Sequence, residues 1–218
     1  MNLKEIIECL KVSEKNDDID RYKGDIAEKI PAVRIMFNFD QQNRAHQYNL
    51  WEHSVHTVLN LPRDIDDDML YLAALLHDIG KPDCQCEGKR QDDKNKHYYG
   101  HPLKSKQIVE NEIIPLLENK GEYLSPKNKK RLMYYVEYHD DRVSLSVEHL
   151  KRHLKLATID EFKRLMLLEC ADAKAHVMLP VIEKRIHICE QWLGDYGDQI
   201  FRKTKIKIRN EVRKHERI

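Results

Sequence analysis

The stretch from Met69 to Leu76 constrains this chain's fold more than any other. Met69, Leu70, Leu72, Ala73, Leu75 and Leu76 run almost without a polar break into His77-Asp78-Ile79-Gly80-Lys81-Pro82. An apolar run of that length, bounded by aspartates and by Gly-Lys-Pro, reads as a buried helix. Asp64 or Asp66 is its expected cap. The stop places His77 and Asp78 at the helix C-terminus. Successive side chains in a regular helix diverge by about 100°, so neighbouring residues cannot share one stripe. A helix end relaxes that limit, and Gly80 is expected to supply it.

Helical spacing recurs along the chain. Leu3, Ile6, Ile7 and Leu10 mark a first helix, and residues 25–37 a second. Further helices are expected over 50–61, stopped by Pro62, over 102–118, and over 127–138, which delivers His139 at its end. Residues 147–156, 159–176 (containing Asp172) and 180–193 complete the set. Gly and Pro number only 7 each and 34% of residues are charged, which suits solvent-facing helices better than a turn-rich β protein. The expected fold is all-α, a helical bundle with peripheral helices. An N-terminal helical segment (1–45) would pack on a core domain (46–200), followed by a basic tail (201–218). Residues 38–49 read as a loop. So do residues 83–99, charged and poor in aliphatics, which would form a mobile surface segment beside His77-Asp78.

Charge and cysteine content exclude several classes. The formal charge is +1, so no global field draws nucleic acid or an acidic membrane. Eight Lys or Arg against Glu211 and Glu216 leave the tail from Phe201 at +6, a local candidate for RNA contact. No run approaches the roughly 18 apolar residues of a membrane span. Five cysteines, an odd number, with no apolar leader after Met1, point to a reducing cytoplasm. Cys84 and Cys86 lack a second thiol or imidazole pair nearby and read as loop thiols.

The chemistry lies in an ordered set: His53, His77-Asp78, His101, His139 and Asp172, each at or near an expected helix or helix end. Imidazole and carboxylate together suit Mn, Fe, Ni, Co or Zn and leave positions open for water and phosphate oxygens.

That order, with Leu75-Leu76-His77-Asp78-Ile79-Gly80-Lys81-Pro82, resembles the HD phosphohydrolase superfamily over roughly residues 48–175. More narrowly, Tyr48-Asn49-Leu50-Trp51-Glu52-His53-Ser54-Val55-His56-Thr57 and Ala171-Asp172-Ala173-Lys174-Ala175-His176 resemble the HD domain of bacterial CCA-adding tRNA nucleotidyltransferases. The resemblance implies a fold of HD type and a metal-dependent phosphoesterase. His53, His77, Asp78 and Asp172 take the core ligand positions, and His101 and His139 match the extra ligands of two-metal members, with Asp78 as the bridge. The chain departs from the nucleotidyltransferases in showing no Gly-rich motif with paired carboxylates before His53, so CCA addition is not expected. Asp140-Asp141-Arg142 stands where cyclic-di-GMP hydrolases carry Gly-Tyr-Pro, which disfavours that substrate.

The implied reaction is metal-assisted hydrolysis, with one or two divalent ions. Lys81 is the expected phosphate contact, and Lys104 and Arg142 are candidates for added charge neutralisation. His46 and His56 are candidate general acids or substrate contacts. The expected substrate is a nucleotide or an RNA-end phosphate, including a 2′,3′-cyclic phosphate. The alternative is a non-catalytic metal-containing module that binds RNA or a partner protein.

Overall fold

The computed structural model describes residues 1–90, 92–141 and 144–204. The protein is all-α, with a single hairpin of two-residue strands among the described residues. Its helices are α1 (Leu3–Val12), α2 (Asn16–Asp20), α3 (Lys23–Lys29), α4 (Leu50–Leu59), α5 (Asp68–Leu76), α6 (Lys81–Cys84), α7 (His101–Ile108), α8 (Ile114–Asn119), α9 (Pro126–Tyr138), α10 (Val147–His153), α11 (Ile159–Lys174) and α12 (Pro180–Leu193). Residues 195–204 are helical as well. No described helix is long and apolar enough to cross a membrane.

Helix α5 is the central element. Every residue from Met69 to Leu76 is buried, so no polar stripe remains and the helix must be enclosed on all sides. Helices α1, α4, α9 and α11 enclose it, and α12 packs along α11. Ile6 and Leu10 of α1, Trp51 and Val55 of α4 and Leu165 and Leu168 of α11 belong to the same buried cluster. The cap of α5 is Asp67 rather than Asp64 or Asp66: its Oδ1 accepts from the Met69 amide at 3.2 Å. Asp67 also accepts from Tyr135 Oη at 2.9 Å and lies 3.3 Å from both Arg131 and Arg164. Burial of this carboxylate among three partners from α9 and α11 selects it over its more exposed neighbours.

One proline corrects an expected helix boundary and another leaves its helix intact. Residues 25–37 do not form one helix. Pro31 forces Ile30 out of the helical region (φ −123°, ψ 77°), and α3 gives way to a 3-10 helix over Pro31–Met36. Pro115, by contrast, lies inside an unbroken helical stretch. Between α7 and α8 the segment Val109–Ile113 is π-helical, and the Ile114 amide donates to the Val109 carbonyl five residues back. The wider turn accommodates a ring that would otherwise clash with the carbonyl four residues back.

The expected loop 83–99 contains a small antiparallel hairpin, Cys86–Glu87 (β1) against Lys96–His97 (β2). It is fastened to the core: Tyr98 Oη donates to the Gln41 carbonyl, and the Lys96 amide to the Gln42 carbonyl. Gly100 follows with φ +81°, a conformation suited to glycine, and turns the chain into α7 at His101.

Candidate metal centre

Five elements converge on one point. Helix α4, opened by an Asn49–Glu52 capping box, carries His53 on its buried face. Helix α5 ends at Leu76, so His77 and Asp78 fall in the turn that follows. Helix α7 begins with His101, α9 ends at His139, and α11 holds Asp172 two residues from its end. Gly80 serves this convergence sterically, since its backbone is ordinary right-handed helix (φ −84°). A Cβ there would lie 2.5 Å from the Ser105 nitrogen and 3.0 Å from the His101 carbonyl oxygen. Only glycine lets the His-Asp turn press against α7, where the Gly80 amide donates to Ser105 Oγ at 2.9 Å.

All six ligand candidates are buried. His77, His101 and His139 share one arrangement: each Nδ1 lies 2.8 Å from the carbonyl three residues earlier, of Ala74, Tyr98 and Val136. A carbonyl can only accept, so each ring keeps a proton on Nδ1 and, when neutral, turns the Nε2 lone pair inward. Asp78 divides its oxygens between two groups. Its Oδ2 lies 3.4 Å from His53 Nε2 and 3.2 Å from His77 Nε2, beside Asp172 Oδ1 at 2.9 and 3.6 Å from the same nitrogens. Its Oδ1 lies 3.0 Å from His101 Nε2 and 3.3 Å from His139 Nε2.

This donor set fits divalent cations. His53 Nε2, His77 Nε2, Asp78 Oδ1 and Asp172 Oδ1 are buried without a hydrogen-bond partner, a costly state for polar atoms that a cation would relieve. The Nε2 atoms of His101 and His139 face each other at 3.2 Å, lone pair to lone pair. His53, His77, Asp78 and Asp172 could hold one ion, and Asp78, His101 and His139 a second, with Asp78 common to both.

The surrounding charges define the metal-free state. Burial favours a neutral His77, but Asp78 and Asp172 outweigh it and raise the His77 pKa to about 10. Burial pushes the Asp78 carboxyl up, yet His77, Lys81, His101 and His139 together hold it well below the usual carboxylate range. Asp172 is likewise held low against burial, by His176 and Arg185 first.

Sequence-expected residues part company here. Lys81 is buried, 2.6 Å from Asp78 Oδ2 and 2.8 Å from Gln41 Oε1. It lines a cleft of about 410 Å³ together with His46, Asp78, His101, His139 and Asp172. His46 is kept neutral by burial and by nearby Lys81. His56 does not line that cleft: its ring stacks on Tyr48 at 4.0 Å and its Nε2 meets Asn16 Nδ2 at 3.0 Å. Lys104, outside the cleft lining, pairs with Asp83 at 2.9 Å on the surface. Arg142 and residues 205–218 of the basic tail lie outside the described residues.

Sequence reading missed Arg185 and Glu169. Arg185, on α12, lies in the cleft wall with Nη1 3.0 Å from Asp172 Oδ2, and its Nη2 donates to the His139 carbonyl at 2.6 Å. It ties two ligand-bearing elements together. Glu169, one turn before Asp172, is fully buried with neither oxygen hydrogen-bonded, and Arg185 Nε is 3.6 Å away. Burial pushes its carboxyl well above the usual range. No local motif marks either residue, because an arginine on an amphipathic helix looks like any solvated one.

Residues 45–175 match the family model described as HD domain, and the chain belongs to that family. Its members are generally metal-dependent hydrolases. No curated protein matches the chain.

Proposed function

From that membership, we propose that this HD-domain chain is a divalent-metal-dependent phosphohydrolase whose substrate is a nucleotide or an RNA-end phosphate. The observation that carries the proposal is the divided Asp78: one buried carboxylate serves two groups of inward-turned lone pairs at the floor of an open cleft. A divalent ion bound there supplies Lewis acidity toward a phosphoryl oxygen and makes water nucleophilic near neutral pH.

The remaining roles belong to side chains. Arg185 holds Asp172 and the backbone of His139 in register, so two ligands keep their places while substrate enters. Lys81 Nζ stands 2.6 Å from Asp78 Oδ2, where a phosphate oxygen would arrive. Neutral His46 serves as a hydrogen-bond partner to substrate rather than as a cation. At about 410 Å³ the cleft suits a ligand the size of a mononucleotide. At its rim the exposed Tyr99 ring stacks on His97, with centroids 5.3 Å apart and planes 10° apart, and offers a flat face to a base. The likeness of residues 48–57 and 171–176 to a tRNA-processing enzyme's HD domain supports an RNA end among the substrates.

Purified protein is assayed with Mn, Fe, Ni, Co and Zn against 2′,3′-cyclic nucleotides, mononucleotides, dinucleoside polyphosphates and dNTPs. The expected result is metal-dependent release of phosphate or opening of the cyclic ester, lost in Asp78→Ala. Bound metal with no turnover of any of these would favour the non-catalytic binding module.

A further inference from the structure

A second histidine cluster takes no part in the centre above. Asp141, His149 and His153 each present one ligand atom, all within 4.8 Å of one another. His149 and His153 stand one turn apart on α10, so both rings fall on one helix face. Asp141 meets them from the turn after α9. Each histidine is only 1% exposed, and both Nε2 atoms are buried without a hydrogen-bond partner. His153 Nδ1 lies 2.9 Å from Tyr134 Oη, whose oxygen can accept its proton. In the tautomer whose Nδ1 donates to Tyr134, the His153 Nε2 lone pair faces Asp141 Oδ2 at 3.3 Å, two electron-rich atoms that a cation between them would satisfy. Arg152 answers in part: its Nη2 is 3.0 Å from His149 Nδ1 and 3.6 Å from Asp141 Oδ2. A guanidinium can only donate, so His149 Nδ1 accepts from it and the neutral ring keeps its proton on Nε2; displacing Arg152 frees the Nδ1 lone pair for an ion.

We propose that Asp141, His149 and His153 form a second divalent-metal site, distinct from the His77-Asp78 centre, that takes a borderline transition ion such as Zn²⁺. Two imidazoles and one carboxylate are the donor set such ions prefer, whereas Mg²⁺ and Ca²⁺ favour all-oxygen sites. Burial keeps both rings neutral, with the His149 pKa lowered to about 4, so no proton competes near pH 7. The Asp141 side chain is 26% exposed, which provides an entry path and an open coordination position. Arg152, with 62% of its side chain exposed, can swing into solvent as the ion enters. The ion would fasten α10 to the turn that follows His139.

Zn²⁺ binding to the full chain is measured by equilibrium dialysis with elemental analysis, in an Asp78→Ala background that cripples the first centre. Asp141→Asn and His149→Gln are each expected to remove one Zn²⁺ per chain, or to weaken its binding roughly tenfold or more. Arg152→Ala, which removes a competing cation, is expected to tighten binding about threefold. If His149→Gln does not fold, Asp141→Asn and Arg152→Ala decide between the outcomes, since both alter partly exposed side chains. Unchanged Zn²⁺ stoichiometry and affinity in Asp141→Asn would overturn the site, whether or not the chain hydrolyses phosphoesters.

Discussion

In the first centre His77, His101 and His139 lean on backbone carbonyls three residues back, whereas in the second cluster His149 and His153 lean on the side chains of Arg152 and Tyr134. A carbonyl at a helix end or in a helix-entry turn is fixed by the fold and cannot be removed by substitution. A tyrosine or arginine can be, and each must itself be ordered. Backbone anchoring therefore gives a site preorganised at the moment of folding, and side-chain anchoring gives one that adjusts as an ion arrives. The first centre also concentrates opposite charge around a shared carboxylate, while the second holds its rings neutral by burial.

Several substitutions and one titration test that contrast. Asp78→Ala removes the atom pair both halves of the first centre share. Turnover on the best substrate should fall by about 10³-fold or more, with bound metal reduced and the helical circular dichroism kept. A fully active, metal-replete variant would remove Asp78 from the centre. Arg185→Met takes away the guanidinium that braces Asp172 and the His139 backbone, and metal affinity at the first centre should drop roughly 10- to 100-fold in a competition titration. An unchanged affinity would reduce Arg185 to a packing residue.

The two clusters should also differ with pH. In the metal-free chain the His77 pKa is raised from 6.5 to about 10, so its protonated form stabilises the fold fully below pH 6.5, and that contribution is lost as pH rises through 10. A metal must displace this proton. Affinity at the first centre should therefore climb by up to about tenfold per pH unit between 6.5 and 10, and the metal-free melting temperature should fall over the same interval. At the second cluster, where the His149 pKa is lowered to about 4, Zn²⁺ affinity should stay flat above about pH 6. Parallel pH curves for the two sites would erase the distinction.

Smaller effects test the anchors. Tyr134→Phe leaves His153 without its partner and should weaken Zn²⁺ binding at the second cluster by up to about tenfold, with no change at the first centre. His56→Ala should alter kcat/KM by less than about twofold, because its ring is engaged by Asn16 and Tyr48 away from the cleft. A tenfold loss there would return His56 to the chemistry.

Much of this was legible in sequence. The unbroken apolar run of α5 could only be a buried helix, and the order His53, His77-Asp78, Asp172 supplied a ligand set that the structure brings within reach of one ion. Helix existence followed from periodicity, but boundaries did not. Pro31 and Pro115 carry the same local signal, yet one ends a helix and the other is absorbed by a π turn. Gly80 looked like a helix terminator, and the structure instead requires it for the contact with α7.

Residue types and their spacing along one chain were enough to give the all-α class, the family and the candidate ligands of the first centre. Tertiary structure alone decided that Asp78 divides its oxygens between two imidazole pairs, that Arg185 braces Asp172, and that Asp141 meets His149 and His153. Each of those contacts joins elements far apart in the chain. Their distances are set by how buried faces pack, and no local pattern encodes that.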